Sequence, residues 1–185
     1  MITDVLANAN AKMQKSNEIF RRDLAAIRTG RATPALLEQV KVDYQGVPTP
    51  IKHIANISVP EARLLVIQPW DKSALGKIEK AIQKSNLNLN PSNDGTIIRI
   101  TIPPLTNEQR KDMVKILKKR GEDAKVILRN IRRDTMENIR KLKKDSEITE
   151  DDEKRALAQL QKTTDILIEE IDTICKDKES EIMEI

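Results

Sequence analysis

Residues 106–144 read TNEQRKDMVKILKKRGEDAKVILRNIRRDTMENIRKLKK. Thr106 with Gln109 has the capping-box pattern, in which two side chains satisfy orphan N–H groups at a helix start. Met113, Leu117, Ala124, Leu128, Ile131, Ile139 and Leu142 then recur at three- and four-residue spacing, the period of one helical face. Gly121 costs about 1 kcal/mol against Ala inside a helix. The apolar pattern keeps its phase across it, so the spacing predicts one long helix, weakened at 121. A helix with so narrow an apolar stripe is stable only when neighbours cover that stripe.

Two other segments offer such stripes. In 2–29, Ile2, Val5, Leu6, Ala9, Met13, Phe20, Leu24 and Ile27 share a helical face. Thr29-Gly30 then interrupts the pattern, and Gly is a natural helix stop. After a break at KKDSEIT, Thr149 followed by Glu150, Asp151 and Asp152 restarts a helix, since acids in the first turn suit the helix dipole. Its seam is Leu157, Leu160, Thr164, Leu167, Ile171 and Ile174, a coiled-coil-like 3-4 spacing. Three such helices bury their stripes best against each other, which predicts an elongated antiparallel three-helix bundle.

The chain between the first two helices has another texture. All eight prolines fall within 31–105. QVKVDY alternates like a half-buried strand, and Gln45-Gly46 makes a turn. HIANISV, RLLVIQ and TIIRITI read as further strands, DKSALGKIEKAIQKS as a short helix capped by Asp71, and NLNLNPSNDG as a turn-rich link with room for a short strand. The expected organisation is an α+β chain: a bundle from 1–30 and 105–185, and a β/α/β module over 31–104. The insertion enters near Gly30 and leaves near Pro103-Pro104, and two such connections favour a hinge.

Composition narrows the function classes. The 185 residues include only three aromatics, Phe20, Tyr44 and Trp70. No run of about 18 apolar residues exists, so no transmembrane helix is expected. The N-terminus lacks the basic and apolar regions of a secretory signal. Cys175 is the one cysteine, so a reducing cytoplasm is expected. The net charge of +4 hides strong segregation: residues 106–144 hold 14 basic and 6 acidic side chains, residues 145–185 hold 5 and 14. A basic block beside an acidic one points to a polyanion on one face.

The basic residues of 106–144 have a phase. With about 100° per residue and Arg129 at zero, Arg133, Arg140, Lys111 and Lys115 fall between roughly 0° and roughly +40°. Lys118, Lys125 and Lys143 fall between about −20° and about −40°, and Arg132 at about −60°. The apolar positions centre on the far side. Asp112, Asp123, Asp134, Glu137 and Asp145 fill a third sector, and Glu122 and Met136 are exceptions within the basic one. From Lys111 to Lys143 the stripe spans roughly 50 Å. Like charges at i,i+4 repel, so a face tolerating them over nine turns favours a polyanionic partner. Arg forks bind phosphate bidentately, and scarce aromatics argue against base stacking. The expected partner is the backbone of folded RNA rather than a membrane, because the bundle needs its apolar stripes internally.

Catalytic patterns are missing. His53 is the only histidine, in a strand-like stretch; Cys175 sits by the third helix's seam and reads as core. There is no Cys/His metal spacing, phosphate loop or dinucleotide fingerprint, so neither an enzyme nor a cofactor is expected. From the residues alone, two classes stay open: an RNA-binding assembly or translation factor, and a coiled-coil adaptor docking proteins through its acidic helix. Salt-dependent association would separate them.

IRTGRATP (27–34), PTPIKHIANI (48–57), LNLNPSNDGTIIRITIPPLTNEQRKD (87–112), RNIRRD (129–134) and EDDEKR (150–155) closely resemble the bacterial and organellar ribosome recycling factor family, over essentially the whole chain. The resemblance implies an L-shaped, tRNA-like outline made of a three-helix bundle and a β/α/β domain. It implies that the protein, with elongation factor G and GTP, splits the post-termination ribosome into subunits, releasing mRNA and tRNA. The bundle would bind large-subunit ribosomal RNA near the A and P sites. By motif, the implied RNA contacts are Arg129, Arg132 and Arg133, with Arg28, Arg31 and Arg110; the stripe adds Lys111, Lys118, Lys125 and Arg140. The hinge would be Gly30 with Pro103 and Pro104. A monomer is expected.

Overall fold

The computed structural model describes residues 1–184. In chain order the elements are α1 (Ile2–Ala25), β1 (Lys41–Tyr44), β2 (Val47–Pro50), β3 (Ala55–Glu61), β4 (Leu64–Pro69), α2 (Leu75–Lys84), β5 (Pro91–Asn93), β6 (Ile98–Thr101), α3 (Asn107–Lys144) and α4 (Glu150–Met183). Short 3-10 turns lie at Pro34–Leu37, Ile51–His53 and Lys72–Ala74. The chain divides into two compact units: Met1–Leu24 with the chain from Lys111 onward, and Ala25–Arg110. Each division lies six residues from the boundary read from the sequence, so Gly30, Pro103 and Pro104 all fall within the second unit.

In the first unit, α3 runs unbroken through Gly121. The expected weak point is a close contact instead: a Cβ on Gly121 would stand 2.8 Å from Cys175 Sγ of α4, so any side chain here must displace that sulfur or push the helices apart. Contacts between α3 and α4 pair rising with falling residue numbers, Lys118 with Glu179, Lys125 with Asp172 and Lys143 with Glu153, so the two helices are antiparallel. Thr164 Oγ1 lies 3.8 Å from Met13 Sδ, and Asn17 Nδ2 donates to the Leu167 carbonyl at 3.1 Å. These rise together, so α1 runs parallel to α4. The seam buries Met13, Phe20 and Leu24 of α1, Leu117, Leu128 and Ile139 of α3, and Leu160, Leu167 and Ile171 of α4. The expected Thr106 capping box forms, with Thr106 and Gln109 exchanging bonds at 2.9 and 3.2 Å, and Thr149 with Asp152 closes a second box at the start of α4.

Helix α1 ends at Ala25, short of the 29 that periodicity gave it. Ile27 is buried all the same, but it counts with the second unit. Its burial there kept the apolar repeat running past the true helix end.

The second unit holds two antiparallel sheets, β1-β2 and β3-β4-β6-β5. Gln45 and Gly46 join β1 to β2 with φ of 53° and 81°, the pair of positive values a two-residue hairpin turn demands. Alternation aims Leu65 and Ile67 of β4 and Ile98 and Ile100 of β6 inward, into a core shared with Ile78 and Ile82 of α2. Asp71 accepts from Ser73 N at 2.9 Å ahead of α2. The Ser73 hydroxyl and that backbone bond hold the Asp71 carboxyl below its ordinary range.

Candidate nucleic-acid interface

The phase of α3 fixes where each basic side chain stands, but its neighbours decide what each one does. Lys125 Nζ lies 2.5 Å from Asp172 and 3.1 Å from Glu122, with only 16% of its side chain exposed. The Asp172 bond, then the Glu122 bond, push the lysine above its ordinary pKa. Lys118 reaches Glu179 at 3.3 Å. Lys143 reaches Glu153 at 2.9 Å, and the Glu153 carboxylate raises its pKa. Arg132 is half-buried and donates through Nη1 to Gln161 Oε1 at 2.6 Å. Its Nε is buried without a protein partner. The edge of the stripe that carries Lys118, Lys125, Arg132 and Lys143 is therefore turned to α4, whose acids neutralise its lysines.

The other edge is different. The side chains of Lys111, Arg129, Arg133 and Arg140 are exposed and form no ion pair or hydrogen bond among the described residues. From Lys111 to Arg140 this line is about 43 Å long at about 1.5 Å per residue. Lys115, beside it, is paired with Asp112 at 3.4 Å. Guanidinium groups held at i,i+4 by a rigid helix and left without acids are suited to phosphate oxygens, which accept in the fork geometry Arg presents.

The remaining candidates lie in the second unit. Arg28 is half-buried with its Nε lacking a protein partner, Arg31 is exposed and Arg110 half-buried. Gly30 has φ of +84°, and a Cβ there would lie 3.7 Å from Leu105 N. Pro103 and Pro104 are exposed, between β6 and α3. His53 is exposed and Cys175 half-buried; burial is the main influence raising the Cys175 thiol pKa. Among the described residues no cluster of His, Cys, Asp or Glu could hold a metal ion, and no helix is long and apolar enough to cross a membrane.

Sequence reasoning passed over the polar residues inside the seam. Asn17 is buried and donates to both Leu167 O and Glu170, whose carboxylate also takes Arg21 at 2.6 Å. Its position in the Met13–Phe20 gap of the α1 stripe was the available signal. It also passed over Gln161, whose partner can be named only once α4 is set beside α3.

Comparison with known proteins agrees with this architecture. A family model described as ribosome recycling factor matches residues 20–183. The ribosome-recycling factor of Syntrophomonas wolfei subsp. wolfei is 56% identical, and that of Geobacillus sp. (strain WCH70) 57%, each covering 100% of both chains. A solution structure of the ribosome recycling factor superposes with a TM-score of 0.81 at 46% identity, covering 100% of this chain and 98% of that one. A second structure models the T. thermophilus ribosome recycling factor and the E. coli elongation factor G bound to the E. coli post-termination complex. It gives a TM-score of 0.70 at 45% identity, with 100% of each chain covered. The chain belongs to the ribosome recycling factor family.

Proposed function

We propose that this chain is a translation factor for ribosome recycling: it binds the post-termination ribosome and, with elongation factor G and GTP, splits it into subunits. Family membership supports the activity, and the unpaired cationic line Lys111–Arg129–Arg133–Arg140 supports the mode of binding. The open edge of α3 lies along the phosphate backbone of large-subunit ribosomal RNA. Arg132 borders that contact while Gln161 holds its guanidinium. Arg28, Arg31 and Arg110 extend the contact beyond the stripe. Lys118 and Lys125 fit the role less well, because Glu179 and Asp172 already neutralise them. The factor acts in the cytoplasm without catalytic residues of its own, and the chemical work is the partner's GTP hydrolysis. Gly30, Pro103 and Pro104 serve as the hinge, where Gly30 holds a φ of +84° that a residue without a Cβ can adopt and leave at little cost.

The adaptor reading loses ground for a physical reason. Glu153, Glu170, Asp172 and Glu179 of α4 already pair with Lys143, Arg21, Lys125 and Lys118 inside the bundle, so the acidic helix has less charge to offer a protein partner. The test combines light scattering of subunit splitting with ribosome co-sedimentation across a salt series. Arg129→Ala with Arg133→Ala should weaken both, and the log–log salt slope should fall by about 0.9 for each phosphate that is no longer neutralised. Undiminished binding and an unchanged slope would remove α3 from the interface.

A further inference from the structure

The Ala25–Arg110 unit carries a second group of cations that the α3 stripe does not include. α2 presents Lys77, Lys80 and Lys84 at i, i+3 and i+7, one helical face. Its other face, Leu75, Ile78 and Ile82, is buried in the core of the unit. Beside the lysine face runs a groove of about 620 Å³, which the three lysines share with Lys41 of β1. Val40, Ala81 and Leu87 contribute apolar surface to it, and Ser85 and Asn86 polar surface.

Charge is sorted around α2. Glu79, the one acid of the helix, is turned to β5, where it accepts from Asn93 Nδ2 at 3.1 Å. Two acids lie near the lysines: Asp43 in the groove and Asp71 at the start of the helix. The Asp71 carboxylate is engaged by Ser73 N, the Ser73 hydroxyl and the Tyr44 hydroxyl, with Lys77 adding a favourable charge. Among the described residues none of Lys41, Lys77, Lys80 and Lys84 forms an ion pair, and all four are exposed.

This arrangement selects a kind of ligand. A lysine ammonium is a compact point charge on a flexible stem, suited to phosphate contacts that need no fixed fork. Lys77 to Lys84 spans about 10 Å of helix, the axial length of about three phosphates on one strand of a duplex at about 3.4 Å each. No aromatic side chain lines the groove, so it offers no platform for stacked bases. What it can hold is an extended row of anions, with sugar edges against its apolar surface.

We propose that this groove is a second nucleic-acid contact, in which Lys41, Lys77, Lys80 and Lys84 hold the sugar–phosphate backbone of an RNA strand. It binds independently of the α3 line and lies in the other compact unit.

The full-length, 15N-labelled protein would be titrated with a twelve-base-pair RNA duplex while backbone amides are followed by NMR. Three forms are compared: the unaltered chain, K77A/K80A/K84A, and R129A/R133A. In the unaltered chain the RNA should perturb amides at 39–43 and 77–87 as well as at 129–140. K77A/K80A/K84A should lose the first set, keep the second, and lower the log–log salt slope by about 2 to 3. R129A/R133A should show the converse, so failure of the α3 contact and failure of the groove give different patterns. Silence at 77–87 in the unaltered chain would overturn the proposal, as would groove perturbations that survive in K77A/K80A/K84A. A twelve-residue polyglutamate peptide that moves the 77–87 amides as strongly as RNA at equal concentration would reassign the groove to an acidic protein and overturn it as well.

Discussion

The two edges of α3 carry the same kinds of side chain and do different things. Along one edge, Lys118, Lys125, Arg132 and Lys143 meet Glu179, Asp172, Gln161 and Glu153 of α4. Along the other, Lys111, Arg129, Arg133 and Arg140 are exposed and their side chains have no acid partner among the described residues. The difference separates charge neutralised inside the bundle from charge left open at its surface. An acid from a neighbouring helix supplies the counter-charge on the first edge, so those lysines help set the register of α3 against α4. On the second edge no acid is supplied, and like charges stand at i,i+4 at a local cost of a few tenths of a kcal/mol. A phosphate backbone would remove that cost on binding.

The largest effect comes from breaking the inner edge at its tightest point. Gly121→Val would drive a Cβ to within 2.8 Å of Cys175 Sγ and add further methyls. Forcing atoms into a packed seam costs about 1–3 kcal/mol, only slightly offset by the better helix propensity of valine. Urea unfolding should show that loss as a lowered midpoint. Cys175→Ala in the Gly121→Val background should recover part of it, because the atom in the way is the cysteine sulfur. A valine variant as stable as the parent, or a double variant no better than the single one, would mean that α4 does not approach α3 through this glycine.

Much of this fold was legible in the sequence because local rules and tertiary packing agree there. The Thr106–Gln109 and Thr149–Asp152 caps and the Gln45-Gly46 turn are short-range chemistry, and each forms as the residues dictate. Asp71 caps the 3-10 turn Lys72–Ala74 that leads into α2 rather than α2 itself, which starts at Leu75 without a side-chain cap. The apolar periods located the helices for the same reason. What stayed hidden needed a neighbour. A helical wheel gives an angle about the helix's own axis and says nothing of where α4 lies, so Lys118 and Lys125 looked equivalent to Arg129 and Arg133. Gly121 read as a weakness because its value is a close approach by another helix. Asn17 and Thr135 broke the apolar count although both are buried; Thr135 satisfies its hydroxyl on the Ile131 carbonyl at 2.7 Å. The lysines of α2 were visible at helical spacing, but only β1 packed alongside turns them into one wall of a groove.

The comparison sharpens when the edges are neutralised separately. Lys118→Ala with Lys125→Ala should lower stability by about 1 kcal/mol, the upper range for ion pairs that keep contact with water. It should leave the salt slope of ribosome binding close to that of the parent. Arg129→Ala with Arg133→Ala should do the reverse, with stability within about 0.5 kcal/mol of the parent and the slope reduced. Urea midpoints and co-sedimentation on the same four preparations, including the combined variant, would show whether the two effects cross over. Equal losses of binding from both pairs would dissolve the distinction between the edges.

The smallest effect is a pH dependence that belongs to the inner edge alone. Asp172, and after it Glu122, raise the pKa of Lys125 in the folded chain above the ordinary 10.5. Below that value folded and unfolded chains both carry the proton, and the pair contributes fully to stability. As pH rises past 10.5 the unfolded chain gives up the proton first, so the contribution fades until the folded-state lysine titrates too. Lys143, raised by Glu153, acts in the same direction. Urea midpoints taken from pH 9 to pH 12 should therefore fall less steeply in Lys125→Gln than in the parent, and the two curves should converge at the alkaline end. Removing Arg129, which has no acid beside it, should leave the steepness of the parent curve unchanged. A parent curve parallel to that of Lys125→Gln would mean that the Asp172 contact does not persist in solution, and the inner edge would then be as open as the outer one.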